Sequence, residues 1–282
     1  MIQTTLYKLN RPAYDLFDRA RQKVRPWFES DEQKHQRERQ QADYLLLSLT
    51  NCGRTWLRVI LGRAMQLHYD IEEGINLHDL FRFSETVPLI PAIKPMHEKY
   101  GQFGNRYEGQ KVILLSRDPR DALVSRYHQQ SRKPQSNTLS FDSLEDYITA
   151  GVDLAAYIQF YNDWQRHRDT AKDFLLVRYE DMKVDTLKEV SRVFDFLQMS
   201  VSVDEVQQAI DYASFKNMRK MELEGSQQVR TGVMSARDVG VPESFKVRKG
   251  SVGGYRTELS DEAIAYLDST VQTQLDPVYG YH

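Results

Sequence analysis

The sequence predicts an α/β domain: one central parallel sheet flanked by helices. Two observations carry this. Three short apolar runs, 44–49 (YLLLSL), 111–116 (KVILLS) and 174–179 (FLLVRY), are bounded by polar residues and read as strands buried on both faces. Helical periodicity follows each run, so strands and helices alternate. At 282 residues the chain is long enough for one α/β core, and a single domain is the simplest account.

Taken in order, residues 11–27 place Tyr14, Leu16, Phe17 and Val24 among basic residues, a short amphipathic helix. The polar stretch 29–43 reads as a solvated helix or linker. Residues 1–43 are therefore expected to form an N-terminal helical and polar extension, and 44–282 the domain. After the first strand, 55–69 sets Trp56, Ile60, Ala64 and Leu67 at helical spacing. After the second, Asp118 suits an N-cap, Pro119 the first helical position and Asp121 the third, a capping pattern that starts a helix at once. Residues 154–167 and 186–197 continue the helical pattern. Between 225 and 243 the chain is polar and carries Arg230 and Arg237, which suits a lid near a site.

Composition narrows the function. With 38 basic and 40 acidic residues the formal charge is −2, which argues against nucleic-acid binding through bulk charge, so an anionic ligand must meet local positive charge. The one cysteine, Cys52, excludes an intramolecular disulfide and a cysteine-cluster zinc site and suits a reducing compartment. The apolar runs are far shorter than the roughly 18 to 20 residues of a membrane span, and the N-terminus lacks a signal-peptide apolar region. A cytoplasmic enzyme is expected, with no membrane or nucleic-acid partner. His35, His68, His78, His128, His167 and His282 show no spacing that demands a metal.

Three segments carry chemistry. The first, Ser48-Leu49-Thr50-Asn51-Cys52-Gly53-Arg54-Thr55-Trp56, lies where a strand ends and a helix begins. Such a turn aims backbone N–H groups and the positive end of a helix dipole at one spot, an anion site; an ordinary strand–helix turn is the alternative. The Walker pattern is absent, which argues against an ATP or GTP phosphate loop. In the second, Arg117 can offer a bidentate guanidinium and Ser125 lies on the helix that follows; a surface arginine beside a capped helix is the plainer reading. The third, residues 245–256, mixes Lys246, Arg248, Lys249 and Arg256 with Gly250, Gly253 and Gly254, a phosphate clamp or a solvated loop.

Together and in this order, these segments resemble those of the cytosolic-type sulfotransferases, which use 3′-phosphoadenosine 5′-phosphosulfate (PAPS). The first is similar to that family's P-loop-like phosphosulfate turn, P-K-x-G-x-T-W. The second matches its R-x-P-x-D-x-x-x-S motif, and the third its R-K-G-x-x-G-[DG] loop. Tyr179-Glu180-Asp181-Met182, Phe196-Leu197 and Ser214-Phe215-Lys216-Asn217-Met218 also match. The resemblance spans about 44–258 and implies transfer of a sulfuryl group from PAPS to a hydroxyl or amine of a small-molecule acceptor, without a metal. It implies that Asn51, Cys52, Gly53, Arg54 and Thr55 surround the 5′-phosphosulfate and that Trp56, Tyr179 and Phe215 lie against adenine. Arg117, Ser125, Arg248, Lys249 and Gly250 would hold the 3′-phosphate. His97 stands where the family, with T-H-D in many bacterial members, places its histidine. An imidazole of ordinary pKa near 6.5 suits removal of an acceptor proton, and Glu98 is the second candidate.

Thr50-Asn51 replaces the family's Pro-Lys. Asn51 donates a neutral hydrogen bond but brings no charge to the leaving oxygen. Arg54, in the same turn, is expected to supply it, with Lys94 as the alternative. A PAPS- or PAP-binding protein impaired in catalysis is the second reading. Phe81, Phe83, Tyr100, Phe103, Tyr157 and Phe160 are candidates for an apolar acceptor pocket or for core, and Glu85, Glu98 and Asp153 leave room for a cationic acceptor such as an alkaloid. The family's C-terminal K-x-x-x-T-V-x-x-x-E dimer motif is absent, leaving monomer and homodimer equally open.

Overall fold

The computed structural model describes residues 30–71, 76–97, 107–130, 141–227 and 250–281. Four parallel strands form the sheet: β1 (Tyr44–Leu47), β2 (Ile93–Met96), β3 (Lys111–Ser116) and β4 (Asp173–Arg178), in spatial order β2-β1-β3-β4. Tyr44 pairs with Ile93 on one side and Lys111 on the other, and Lys111 in turn with Asp173. β1 and the run 112–115 of β3 are buried throughout, because helices cover both faces. The three strands read from the apolar runs are present, but β4, expected to be buried on both faces, lies at the end of the sheet and is mostly half-buried. β2 was not among them: its Ile-Lys-Pro-Met sequence does not look like a strand, and Pro95 is accommodated because β2 is an edge.

The helices that set the site are α1 (Asp31–Gln40), α2 (Arg54–His68), α3 (Leu80–Thr86), α4 (Pro119–Gln130), α5 (Leu144–Thr149) and α6 (Val152–His167). After β4 come α7 (Tyr179–Val184), α8 (Thr186–Phe196), α9 (Val203–Tyr212), α10 (Phe215–Gln227) and α11 (Asp261–Gln274). The polar stretch is indeed a helix, started by a Ser30–Gln33 capping box. It is more than a solvated spacer: buried Glu38 pairs with Lys94 of β2, and Arg39 lies over the Tyr107 ring. The segments 11–27 and 228–243 lie outside the described residues. Phe81, Phe83, Tyr157 and Phe160 belong to the core, at most 5% exposed; Tyr100 and Phe103 fall outside the described residues.

Candidate functional site

The turn after β1 gets its shape from two left-handed residues, Asn51 at φ 63° and Gly53 at φ 87°. Asparagine tolerates that region better than most side chains. Glycine at 53 is required twice: besides its φ, an added Cβ would sit 2.6 Å from Cδ2 of Tyr179. Gly53 is also the N-cap of α2 and provides no side-chain cap. The first N–H groups of a 15-residue helix thus lack a capping side chain at a cavity wall, the arrangement that binds anions.

The turn after β3 is built differently. The Asp118 carboxylate accepts from the Arg120 N–H at 2.9 Å, as an N-cap does. The reciprocal half of the expected capping pattern is absent. The Asp118 N–H donates to Glu180, and the Asp121 carboxylate accepts from the N–H groups of Gly253 (2.7 Å) and Tyr255 (3.1 Å). Asp121 thereby ties the third segment to α4. Burial raises its pKa above the ordinary carboxylate value, while Arg117 and the two N–H groups oppose that rise.

Arg117 gathers all three segments. Its Nη1 donates to the Asn51 carbonyl at 2.9 Å and to Ser125 Oγ at 3.4 Å, and its Nη2 donates to the Ser251 carbonyl at 3.3 Å. The guanidinium lies 4.6 Å from the Tyr179 ring centroid, and its Nε is buried without a partner. The Tyr161 hydroxyl fixes its backbone, accepting from the Arg117 N–H and donating to the Arg117 carbonyl, each at 3.0 Å. Tyr179 donates to the Gly250 carbonyl at 3.1 Å, so the start of α7, directly after β4, reaches the same loop.

These groups enclose a cavity of about 400 Å³. Asn51, Gly53, Arg54, Thr55 and Trp56 line it from the first segment; Arg117 and Ser125 from the second; Gly250 from the third. Tyr179, Phe215 and His97 complete the expected set. Trp56 meets Tyr179 edge to face at 5.9 Å and donates its Nε1–H to the Ala213 carbonyl at 3.0 Å, which holds its ring in place. His97 Nδ1 lies 3.2 Å from the Ser48 carbonyl. Arg54 donates to the Met96 carbonyl at the end of β2. Burial, then repulsion from Arg58, lowers its pKa to about 9.

Some expectations do not hold. The Cys52 side chain faces the core, its Sγ 3.4 Å from the Tyr161 hydroxyl, and burial pushes the thiol up to about 11; it is not a wall of the cavity. Lys94 is engaged by Glu38 and so is a poor source of charge for the turn. Asp153 is engaged by Arg126 and Tyr147 rather than awaiting a cation. Glu98, Arg248 and Lys249 lie outside the described residues. Sequence reasoning missed the cavity residue Lys183, whose Nζ lies 5.6 Å from the Trp56 ring; its signal was the i, i+4 spacing from Tyr179 on α7. Among the described residues no group of three or more His, Cys, Asp or Glu is placed to hold a metal ion. None of their helices is long and apolar enough to cross a membrane.

A family model for the sulfotransferase domain matches residues 41–278. The chain belongs to the sulfotransferase family. Among curated sulfotransferases, Cytosolic sulfotransferase 5 of Arabidopsis thaliana is 24% identical over 272 residues, covering 84% of this chain and 80% of that protein. Sulfotransferase 2A1 of Rattus norvegicus is 28% identical over 171 residues, covering 58% and 56%. In fold, this sulfotransferase is similar to mouse sulfotransferase SULT7A1 complexed with PAP, with TM-score 0.60, 20% identity and coverage of 83% and 84%. It is also similar to retinol dehydratase in complex with androsterone and inactive cofactor PAP, with TM-score 0.54, 18% identity and coverage of 83% and 81%.

Proposed function

We infer that this sulfotransferase moves a sulfuryl group from PAPS to a hydroxyl or amine of a small-molecule acceptor, releasing 3′-phosphoadenosine 5′-phosphate (PAP), and that it does so in the cytoplasm. The observation that carries the reading is Arg117, which joins the uncapped turn, the Ser125 helix and the Ser251 loop around one cavity. The donor set fits a nucleotide phosphorylated at two positions. The α2 N-terminus serves one phosphate through backbone N–H groups, whereas Arg117 and Ser125 serve the other through side chains. Trp56, Tyr179 and Phe215 give the base flat apolar surfaces, and Gly53 and Gly250 keep the walls thin.

His97 accepts the acceptor's proton, its ring oriented through Nδ1 by the Ser48 carbonyl. The acceptor's oxygen or nitrogen then bonds to sulfur while the bond from sulfur to the phosphate oxygen breaks. Negative charge on the departing oxygen falls to the turn's N–H groups, Thr55 and Arg54. Arg54 is the cation for this task because it lines the cavity between the turn and the end of β2 that carries His97. Its guanidinium supplies the charge that Asn51 lacks.

The test measures radiolabelled sulfuryl transfer from PAPS to a panel of phenols, alcohols and amines for the parent chain, Arg54→Ala and Asn51→Lys. Transfer by the parent and a fall on the order of 10²-fold or more in Arg54→Ala are expected, the usual scale for losing one preorganised donor. Arg54→Ala turning over like the parent would remove Arg54 from the mechanism. No transfer by the parent, with activity created by Asn51→Lys, would make the chain a nucleotide binder.

A further inference from the structure

The turn after β1 rests on a side-chain cluster that no motif contains. Arg126, one residue beyond Ser125 on α4, donates from Nη1 to Thr50 Oγ1 at 2.8 Å and from Nε to Asp153 Oδ2 at 2.7 Å. The Tyr147 hydroxyl donates to the same Asp153 oxygen at 2.5 Å. Tyr157, itself core, donates to the Thr50 carbonyl at 2.6 Å and lies 3.1 Å from Thr50 Oγ1.

The protons of this cluster close into one pattern. Thr50 Oγ1 accepts from Arg126, so its own proton is available to the Tyr157 oxygen, and the Tyr157 proton goes to the Thr50 carbonyl. Burial acts to lower the Arg126 pKa, but the hydrogen bond and charge of Asp153 outweigh it, so the guanidinium stays charged. Two helices, α4 and α6, thereby converge on one residue of the turn, and α5 braces them through Tyr147 and Asp153.

The consequence lies in peptide geometry. The Thr50 carbonyl is held toward the core by Tyr157, and a trans peptide sets the next N–H, that of Asn51, on the opposite side. Thr50 and Asn51 both line the cavity. A turn without lysine relies on its backbone N–H groups, beside Thr55 and Arg54, to hold an anion, and their aim depends on how firmly Thr50 is seated. We propose that Arg126, acting through the Thr50 hydroxyl and braced by Asp153 and Tyr147, is a positioning residue that orients the turn's N–H groups toward the 5′-phosphate of the donor nucleotide.

The proposal rests on the PAPS reading, and its test needs no acceptor. Calorimetric titrations with PAP, adenosine 3′-monophosphate and adenosine 5′-monophosphate measure separately what each phosphate adds to affinity. In Arg126→Ala the gain from the 5′-phosphate is expected to shrink about tenfold, while the gain from the 3′-phosphate, held by Arg117 and Ser125, stays within about twofold. Thr50→Val, which keeps shape and charge, should reproduce the loss. The double variant should lose no more than either single one, because both remove the same link, and Arg126→Lys should recover part of it. A general loss of stability would weaken both phosphates alike and would overturn the proposal, as would additive losses in the double variant. A parent chain that binds no PAP would overturn the donor reading and this proposal together; a parent that binds PAP with both phosphate gains unchanged in Arg126→Ala and Thr50→Val would overturn this proposal alone.

Discussion

The turns after β1 and β3 start from the same strand–turn–helix unit and reach the same cavity by opposite means. The first bends through left-handed Asn51 and Gly53, has no side-chain cap, and leaves the N–H groups of α2 facing the cavity. The second caps itself with Asp118 and commits Asp121 to the third segment, so what it presents are side chains, Arg117 and Ser125. A backbone site depends on conformation and tolerates no added atom, whereas a side-chain site depends on charge and tolerates conformational variation. Substitutions in the two turns should therefore fail in different ways.

The largest effect is expected at Gly53. Gly53→Ala meets both the left-handed backbone and a 2.6 Å approach to Tyr179, which should cost on the order of 2–3 kcal/mol of stability and at least about 100-fold in PAP affinity. Gly109→Ala sharpens the comparison: Gly109 has φ +76° with nothing within 4 Å of an added Cβ, so it should show the backbone cost alone, about 1 kcal/mol. Urea unfolding of the two variants separates strain from clash. Equal losses would remove Tyr179 from the account of the first turn.

Next comes the side-chain turn. Arg117→Lys keeps a charge but cannot bridge Asn51, Ser125 and Ser251 at once, and PAP affinity should fall by roughly 10²-fold with stability changed far less than in Gly53→Ala. A tenfold smaller effect, read by calorimetry, is expected for Asp121→Asn. An amide has one acceptor oxygen where two N–H groups need partners, a loss of about 1–2 kcal/mol in the hold on the third segment. The smallest effect belongs to Cys52. Its side chain lies in the core and its thiol is held up to about 11 by burial, so Cys52→Ala should leave PAP affinity within about twofold. Maleimide at pH 8 should label the parent only as fast as it unfolds.

Much of this was legible in the sequence because buried parallel strands and phosphate-binding turns have short, local signatures. The runs 44–49 and 111–116 located both turns, and the resemblance of the three segments to the sulfotransferase motifs implied that Asn51, Arg117 and Gly250 share one site. What was not legible depends on partners distant in the chain. β2 was hidden because Pro95 is acceptable only at a sheet edge, and the edge is a property of the whole sheet. Asp121 fitted a helix cap in its local context, but Gly253 and Tyr255, more than 130 residues away, claim it. Asp153 left room for a cationic acceptor in the sequence, but where α4 and α6 pack together Arg126 takes it. Lys94 looked like a free cation beside His97 until Glu38 of α1 met it.

The most direct test of the account is a calorimetric titration of the full chain with PAP beside ADP. The two differ in where the second phosphate sits, and only PAP places one on the 3′ position, the one we propose Arg117 and Ser125 meet. PAP is expected to bind at least about 100-fold more tightly than ADP, with most of that selectivity lost in Arg117→Lys. Equal affinity for PAP and ADP, or PAP selectivity untouched by Arg117→Lys, would contradict it.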